Sequence, residues 1–223
     1  MTIGQYKTQI DEIRVFLNKF NFLLNYSKDN LFNSATAKRL SRLKKYGELY
    51  SEIYSSGEYT FQLFDNSLLQ FSYNKDPLVL GYSFIPFPFE FPSYIDYLLI
   101  NNFEYEEVGD QLMEEYEQNA SSFSTAKEHI NIIRYDYSEK EYSDSVHSIS
   151  HIHVGFENIR ISSEKILDPM TFFIFILKQV YIEIWKKNIS NPDFYKCCQH
   201  KKMCQNIQKK FFSKKDQDEL YLV

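Results

Sequence analysis

Three of the five histidines in the chain fall within seven residues, at His147, His151 and His153. If Ser150 to Phe156 forms a β-strand, its two-residue period places His151 and His153 side by side on one face. Two neighbouring imidazoles can exchange protons with a substrate, share a phosphate or coordinate a divalent metal ion. This segment is therefore the candidate functional centre.

Acid–base chemistry is the first of three interpretations of this segment. It requires one histidine that accepts a proton and another that donates it, while a cation stabilises the charged transition state. Arg134 can supply the cation and hold a phosphate, and Asp136 lies two residues farther along the same predicted strand. Together with His147, His151 and His153, these residue types suffice to hydrolyse a phosphodiester without any cofactor, as a metal-independent ribonuclease does.

Metal binding is the second interpretation. The ligands would be His147, His151 and His153, with Asp136 or Glu157 as the nearest further candidates. The spacing H-x-x-x-H-x-H does not match a familiar zinc signature. This interpretation predicts a metal-dependent hydrolase that holds a divalent ion such as zinc or manganese.

The third interpretation is structural. Histidine and serine side chains in a strand and a turn commonly hydrogen-bond to the backbone, and Asp136 would then form an ordinary ion pair with Arg134. A perturbed pKa would separate the three interpretations, but it cannot be read from a sequence. All three therefore stay open.

The elements that must position these residues predict an α+β fold. Helical periodicity predicts a first helix that carries apolar residues from Ile10 to Leu24 and ends near Tyr26, and a second helix over Ser34 to Tyr54 with a basic face. Alternating apolar and polar residues predict a central, mostly antiparallel sheet. Its strands are predicted at 58–64, 68–73, 78–84, 129–137 and 150–156.

Turn and cap residues mark further boundaries. Asp65 to Ser67 is typical of a hairpin turn, and the proline-dense segment Pro86 to Pro92 predicts an extended loop outside any strand ladder. Asp168 as N-cap and Pro169 at the first helical position begin a long C-terminal helix that runs through Trp185. A basic helical tail is predicted to follow.

Length indicates one domain. The 223 residues suffice for a single core and are short for two. Within it we predict a helical N-terminal part (1–56), an α+β core (57–185) and a lysine-rich helical tail (186–223). The sequence contains no glycine-rich phosphate loop, which argues against a P-loop or dinucleotide-binding protein.

Cysteine usage and hydropathy indicate a cytoplasmic protein. Cys197, Cys198 and Cys204 are an odd number, which fits free thiols in a reducing compartment better than a disulfide framework or a zinc site. The first residues do not have the pattern of a secretory signal, and the longest apolar stretch is too short to span a bilayer. No membrane partner is therefore expected.

The charges are segregated along the chain. Glu104 to Glu117 contains seven acidic and no basic residues, whereas Lys186 to Lys215 contains nine lysines and one acidic residue, Asp193. Both segments fit solvated helix faces, and the basic surfaces also fit nucleic acid. The acidic helix and the aromatic residues of Pro86 to Pro92 fit a protein partner encoded in the same operon.

Several motifs in sequence order resemble a known family. They are Asp65-Asn-Ser-Leu-Leu-Gln-Phe-Ser-Tyr, Arg134-Tyr-Asp-Tyr, His147-Ser-Ile-Ser-His-Ile-His-Val-Gly and Pro169-Met-Thr with an aromatic helix to Trp185. Between Gly57 and Trp185 the chain resembles an uncharacterised bacterial family known only as a domain of unknown function. That family usually has proline where this chain has Ser148. The chain is more distantly similar to the TumE-type toxins of toxin–antitoxin pairs.

The resemblance implies a bacterial setting of mobile-element or phage conflict. The leading hypothesis is thus a cytoplasmic toxin-like or anti-phage effector that acts on nucleic acid with the histidine centre as its acid–base machinery. The first alternative is a non-catalytic, protein-binding subunit of a defence or toxin–antitoxin complex. The second alternative is the metal-dependent hydrolase.

Overall fold

The computed structural model describes residues 1–27, 46–128, 130–144, 146–155, 159–197, 204–218 and 221–222. The α-helices are α1 Ile3–Lys19, α2 Tyr46–Ser55, α3 Tyr94–Ile100, α4 Tyr105–Val108, α5 Met113–Asn119, α6 Pro169–Gln179, α7 Ile182–Asn188, α8 Pro192–Cys197 and α9 Lys214–Asp218. Short 3-10 helices span Ala120–Phe123 and Lys209–Phe211. The strands are β1 Leu23–Tyr26, β2 Phe61–Leu63, β3 Leu68–Asn74, β4 Val79–Ile85, β5 Phe89–Glu90, β6 Thr125–Ala126, β7 Ile133–Ser138, β8 Ser150–Val154, β9 Ile159–Ser163, β10 Lys165–Ile166, β11 Gln205–Asn206 and β12 Tyr221–Leu222.

An eight-stranded sheet in the order β1-β2-β3-β4-β7-β8-β9-β12 organises the fold. All its pairings are antiparallel except the last, in which β12 runs parallel to β9. The predicted α+β class and the mostly antiparallel sheet are therefore confirmed. The β2–β3 hairpin turns at Asp65 to Ser67, as its turn residues predict, and Asn66 there has a left-handed φ of 65°.

One face of the sheet carries the main hydrophobic core. In β3, β4, β7 and β8, apolar side chains at every second position point to this face. These side chains are buried beneath α1 and α6, which pack against each other. Phe172 of α6 places its ring 6.1 Å from that of Phe71 and 5.7 Å from that of Tyr82. Burial of large aromatic side chains dominates the stability of such a core.

The opposite face of the sheet is polar at its centre. At one end a second apolar cluster covers this face, where Leu49, Tyr50 and Ile53 of α2 pack against Leu68 and Ile85. Beyond that cluster, the side chains of β3, β4, β7, β8 and β9 that point away from the main core are polar. The functional residues predicted from the sequence lie there, so α2 and its cluster form one wall beside them.

Helix α1 ends earlier than its apolar spacing predicts. It stops at Lys19, because Asn21 adopts a left-handed φ of 57° and the Phe22 amide donates back to the Leu17 carbonyl at 2.8 Å. The next residues form β1, which pairs with β2. The prediction of a helix to Tyr26 was therefore wrong. Of the second helix predicted over Ser34 to Tyr54, the part up to residue 45 lies outside the described residues. Its final part is observed as α2.

The long C-terminal helix is interrupted. As predicted, Asp168 caps it and Pro169 occupies its first turn, but it ends at Gln179 and α7 begins at Ile182. Tyr181 lies between them with a non-helical backbone (φ −104°, ψ 48°), and its hydroxyl donates to Asp65 Oδ2 at 2.9 Å. This contact anchors the junction of the two helices to the β2–β3 turn.

Two other segments contain strands that the sequence did not predict. Phe89 and Glu90, although flanked by prolines, keep their own backbone N–H groups and pair with Thr125 and Ala126. The tail contains short helices and also β11 and β12, of which β12 extends the main sheet. The described residues of the tail are thus partly sheet, because the edge of β9 offers unpaired backbone groups.

Replacing Asp168 by alanine should destabilise the protein by about 1 kcal/mol. The Asp168 carboxylate accepts a hydrogen bond from the Thr171 amide at 2.7 Å, and its loss leaves a buried N–H group at the start of α6 without that acceptor. Denaturant unfolding of the native chain and of the Asp168→Ala variant measures the difference. Asp168→Asn should recover most of it, and equal stability of all three proteins would refute the role of this cap.

Among the described residues, no helix combines the length and apolar character that crossing a membrane requires.

Candidate functional site

Two rows of side chains cross the polar face of the sheet. Residues directly opposite one another in adjacent antiparallel strands share a face, so the strand register aligns them. The first polar row consists of Gln70, Ser83, Arg134, His153 and Arg160 from β3, β4, β7, β8 and β9. The second polar row, from the same strands, consists of Ser72, Gly81, Asp136, His151 and Ser162.

The two strand histidines meet at their ring nitrogens. His151 Nε2 lies 2.9 Å from His153 Nε2, and His153 Nε2 lies 3.2 Å from Asp136 Oδ2. The prediction that His151 and His153 share one face of a strand is confirmed. Both imidazoles are buried, whereas the Asp136 side chain is 26% exposed. The cluster therefore faces solvent from the side of the carboxylate.

A backbone carbonyl sets the tautomer of His151. His151 Nδ1 lies 2.8 Å from the Ser148 carbonyl oxygen, which can only accept, so Nδ1 carries the proton and donates it. In the neutral ring, Nε2 then holds a lone pair directed at His153 and Asp136. Because Ser148 occupies the turn before β8, this turn orients the ring.

His147 joins the cluster from the β7–β8 connection. Its backbone pairs with Ser143, and its ring packs edge-on against His151 with centroids 4.9 Å apart. His147 Nδ1 is buried without a hydrogen-bond partner in the structure. A buried nitrogen without a hydrogen bond is costly, so a water molecule or a ligand is expected to bind His147 Nδ1.

Arg134 and Asp136 contact each other on β7. Arg134 Nη2 lies 3.7 Å from Asp136 Oδ2. Burial by itself would raise the pKa of Asp136, but the hydrogen bond from His153 and the charge of Arg134 outweigh it and lower the pKa below its usual value. All five predicted catalytic residues thus form one chain of contacts, from Arg134 through Asp136, His153 and His151 to His147.

Burial, followed by the proximity of His153, lowers the pKa of His151 to about 4. His151 is therefore neutral at pH 7. A neutral imidazole is a poor proton donor but a good metal ligand. Because burial is the larger cause, the lowered pKa is expected equally of a structural histidine that hydrogen-bonds to the backbone, as His151 does.

Acidification of metal-free protein should reduce its stability below about pH 6.5. The folded pKa of His151 lies below the ordinary value of 6.5, so between the two pKa values the unfolded chain binds more protons and is favoured. The loss should accumulate to at most about 3 kcal/mol near pH 4. Urea unfolding in EDTA at several pH values measures it. His151→Gln should show a shallower pH dependence between pH 6.5 and 4, and identical slopes would contradict the assignment.

Asp136, His151 and His153 could hold a metal ion. One ligand atom from each lies within 4.8 Å of the others. Two ligands bound about 2.0–2.2 Å from one ion at angles of 90–110° lie roughly 2.9–3.5 Å apart. Two of the three separations, 2.9 Å from His151 Nε2 to His153 Nε2 and 3.2 Å from His153 Nε2 to Asp136 Oδ2, match the edges of such a coordination shell. The sequence predicted His147, His151 and His153 as the ligands. In the structure Asp136, rather than His147, is the third member of the group, and His147 packs beside His151.

Sequence reasoning missed the polar neighbours of the cluster. Gln70, Ser72 and Ser83 are buried, and Gln70 Nε2 has no hydrogen-bond partner in the structure. A Cβ at Gly81 would lie 2.8 Å from Ser72 Oγ, so a larger residue there would displace the Ser72 hydroxyl, which donates to the Gly81 carbonyl. The signal was present in the alternation of polar and apolar residues along β3 and β4.

Several predicted participants lie outside the described residues. They are His129, Glu157, Cys198, His200 and the basic face of the predicted second helix. Cys204 is not part of the group formed by Asp136, His151 and His153, and its Sγ lies 3.3 Å from Thr171 Oγ1 at the first turn of α6. Burial raises the pKa of the Cys204 thiol, which disfavours the thiolate that metal binding needs.

Comparison with known proteins gives one match. A family model described as uncharacterized conserved protein (DUF2290) matches residues 16–223. The match extends beyond the segment from Gly57 to Trp185 that carries the sequence motifs, into α1 and the tail. No curated protein and no solved structure matches the chain. Nothing in these comparisons supports the likeness to TumE-type toxins.

Proposed function

The chain belongs to the family of uncharacterized conserved proteins DUF2290, and we propose that it is a divalent-metal-dependent hydrolase of phosphate esters, with nucleic acid as its substrate. The observation that carries this proposal is the convergence of His151 Nε2, His153 Nε2 and Asp136 Oδ2. Two histidines and one carboxylate leave coordination positions open for water and substrate.

The surroundings of the ligands support a metal site. A ligating histidine usually donates its second N–H group to a carbonyl or carboxylate, which fixes the ring and raises its basicity. The Ser148 carbonyl accepts that bond from His151. The lowered pKa values of His151 and Asp136 keep both groups in the forms that bind a cation.

Nitrogen and oxygen ligands without sulfur suit zinc, manganese or iron. Such an ion, held by Asp136, His151 and His153, would supply a nucleophilic hydroxide at neutral pH and would polarise a phosphoryl oxygen. Asp136, which is partly exposed, lies where water and substrate can reach the ligands.

Two arginines give the site its preference for anions. Arg134 and Arg160 lie opposite His153 on its two neighbouring strands, so they flank this ligand on the same face. Arg160 is exposed, and Arg134 is 15% exposed. Guanidinium groups bind phosphate oxygens in a planar, bidentate manner. A phosphodiester placed at the metal would therefore contact both.

The close approach of the two imidazoles favours the metal over the leading acid–base hypothesis. An acid–base pair must receive the reacting group between its two nitrogens, whereas these nitrogens lie only 2.9 Å apart. The separation suits two ligands of one ion. The metal-independent ribonuclease stays a second candidate because His147, with its unpartnered Nδ1, could still exchange a proton with a substrate.

Hydrolysis assays test the proposal. Metal-free protein is supplied with zinc, manganese or iron(II) and assayed with bis(p-nitrophenyl) phosphate, single-stranded RNA and, as a non-phosphate control, p-nitrophenyl acetate. We expect cleavage of the phosphate substrates that requires metal and is lost on chelation. Asp136→Asn should be inactive, and its matched control Asp218→Asn, at an exposed position in α9, should be fully active.

Substitution of Arg160 gives a finer test. Arg160→Ala should raise KM for the diester about 10-fold and change kcat little. The substitution removes a contact that binds the substrate phosphate, but it leaves the metal ligands in place. Cleavage that persists in EDTA would favour the metal-independent ribonuclease. Failure of every metal-loaded protein to cleave any phosphate ester would overturn the proposal.

A further inference from the structure

The exposed apolar side chains are concentrated in one short stretch. Among the described residues, six of the sixteen exposed large hydrophobic side chains fall between residues 91 and 105. Together they form what we term the apolar patch: Phe91, Ile95, Leu99, Ile100, Phe103 and Tyr105. Leu99 is 62% exposed and Ile100 is 52% exposed. Such a concentration marks an interaction surface, whereas scattered apolar residues do not.

The exposure is not a consequence of a loosely held helix. Ser93 and Asp96 form a capping box at the start of α3. The inner face of α3 is fully engaged, since Tyr97 and Leu98 are buried and the Tyr94 hydroxyl donates to the Gly109 carbonyl at 2.8 Å. Helix α3 therefore holds Ile95, Leu99 and Ile100, the central residues of the apolar patch, in a fixed position.

The spacing of the patch suits a helical partner. Ile95 and Leu99 lie four residues apart, which places them in one stripe along α3. Phe103 lies just beyond the end of the helix, after the left-handed Asn102 (φ 61°), and its amide donates back to the Leu98 carbonyl at 2.9 Å. Because α3 is apolar on both its inner and outer faces, the outer face resembles a helix surface that is normally covered. A second amphipathic helix offers a matching stripe.

A run of acidic residues follows this stripe in the chain. All seven acidic side chains of Glu104 to Glu117 are exposed, and no basic residue lies between them. Helix α5, which carries Glu114, Glu115 and Glu117, packs against α3, and the Tyr97 hydroxyl donates to Glu115 Oε1 at 3.1 Å. A surface with this charge repels nucleic acid and attracts lysine and arginine.

We propose that the apolar patch and its acidic border bind a basic amphipathic helix of a partner protein. Apolar side chains of the partner would pack against Ile95 and Leu99 on α3 and against Phe103 beyond its end, and the partner's lysines or arginines would contact the acidic residues of α4 and α5. This surface is separate from the histidine cluster in the fold, so the proposal does not depend on the metal site.

Binding of a synthetic helix tests the proposal. The probe is a fluorescein-labelled peptide of 18 residues with leucines at helical spacing and lysines elsewhere, and fluorescence anisotropy measures its Kd for the full chain. Two control peptides are a scrambled version with the same composition and a version with glutamates in place of lysines. We expect the amphipathic basic peptide to bind at least about 10-fold more tightly than either control.

Surface variants localise the binding. Ile95→Ser/Leu99→Ser should weaken binding of the basic peptide at least about 10-fold, whereas the matched control Val15→Ser/Val146→Ser, at distant exposed positions, should not. Equal binding of the basic and scrambled peptides, or no effect of Ile95→Ser/Leu99→Ser, would overturn the proposal. So would self-association of the chain that this double variant abolishes, because the patch would then contact a second copy.

Discussion

His153→Ala should abolish stoichiometric binding of a divalent metal and, with it, phosphate-ester hydrolysis. His153 Nε2 lies close to both other ligand atoms, 2.9 Å from His151 Nε2 and 3.2 Å from Asp136 Oδ2. Its removal leaves two protein ligands, and a site with two protein ligands binds an ion too weakly to retain it during dialysis. The affinity should fall well beyond the roughly 10–100-fold that loss of a supporting residue costs.

Elemental analysis after dialysis measures the metal content. The native chain should retain about one ion and His153→Ala almost none. His147→Ala provides an informative comparison, because His147 contacts the ring of His151 but is not part of the ligand group. It should keep its ion with modestly reduced affinity. Retention of a full equivalent by folded His153→Ala would show that the ion, if any, binds elsewhere.

A folding control accompanies this variant. His153 is buried, so its replacement by alanine also removes packing and could unfold the chain. Near-ultraviolet circular dichroism distinguishes a folded protein without metal from an unfolded one. Asp136→Asn offers a second route to the same result, since it keeps the volume of a partly exposed side chain and removes its charge.

Phe172→Ala should reduce the free energy of unfolding by about 3–5 kcal/mol. Phe172 is fully buried and packs against the rings of Phe71 and Tyr82 at the centre of the core. Truncation to alanine removes most of a large apolar side chain and leaves a cavity that neighbouring aromatic rings cannot easily fill. Equilibrium denaturation by urea measures the loss, and a loss below about 1 kcal/mol would contradict this account of the core.

Phe172→Ala should also show that stability and metal binding depend on different faces of the sheet. Phe172 packs on the face of the sheet opposite the histidines. At a temperature where Phe172→Ala remains folded, it should therefore bind metal with nearly native affinity. Phe172→Leu, which keeps more of the volume, should be intermediate in stability.

The histidine site was predictable because it depends on local periodicity. The alternation of His151 and His153 in one strand fixes their common face whatever the strand pairs with. The pairing of β7 with β8 was not predictable, and it decides that Asp136 lies opposite His151. A one-residue change of register would move Asp136 to the other face, and hydrophobic pattern alone does not determine which strands become neighbours.

The elements that sequence reasoning placed least well depend on single contacts. The end of α1 depends on the left-handed backbone of Asn21, and the break after α6 coincides with the bond between Tyr181 and Asp65, 116 residues apart. Apolar spacing continues through both positions and predicts uninterrupted helices. The added strand β12 depends on the free edge of β9, which a sequence does not reveal.

The position of a metal ion in crystals of the loaded protein tests the central claim most directly. Crystals grown with zinc or manganese and measured at the absorption edge of the metal give an anomalous difference map that locates the ion. We expect a peak about 2.0–2.2 Å from His151 Nε2, His153 Nε2 and an oxygen of Asp136. A map with no peak among these three residues, or with its only peak at Cys204 or another site, would contradict it.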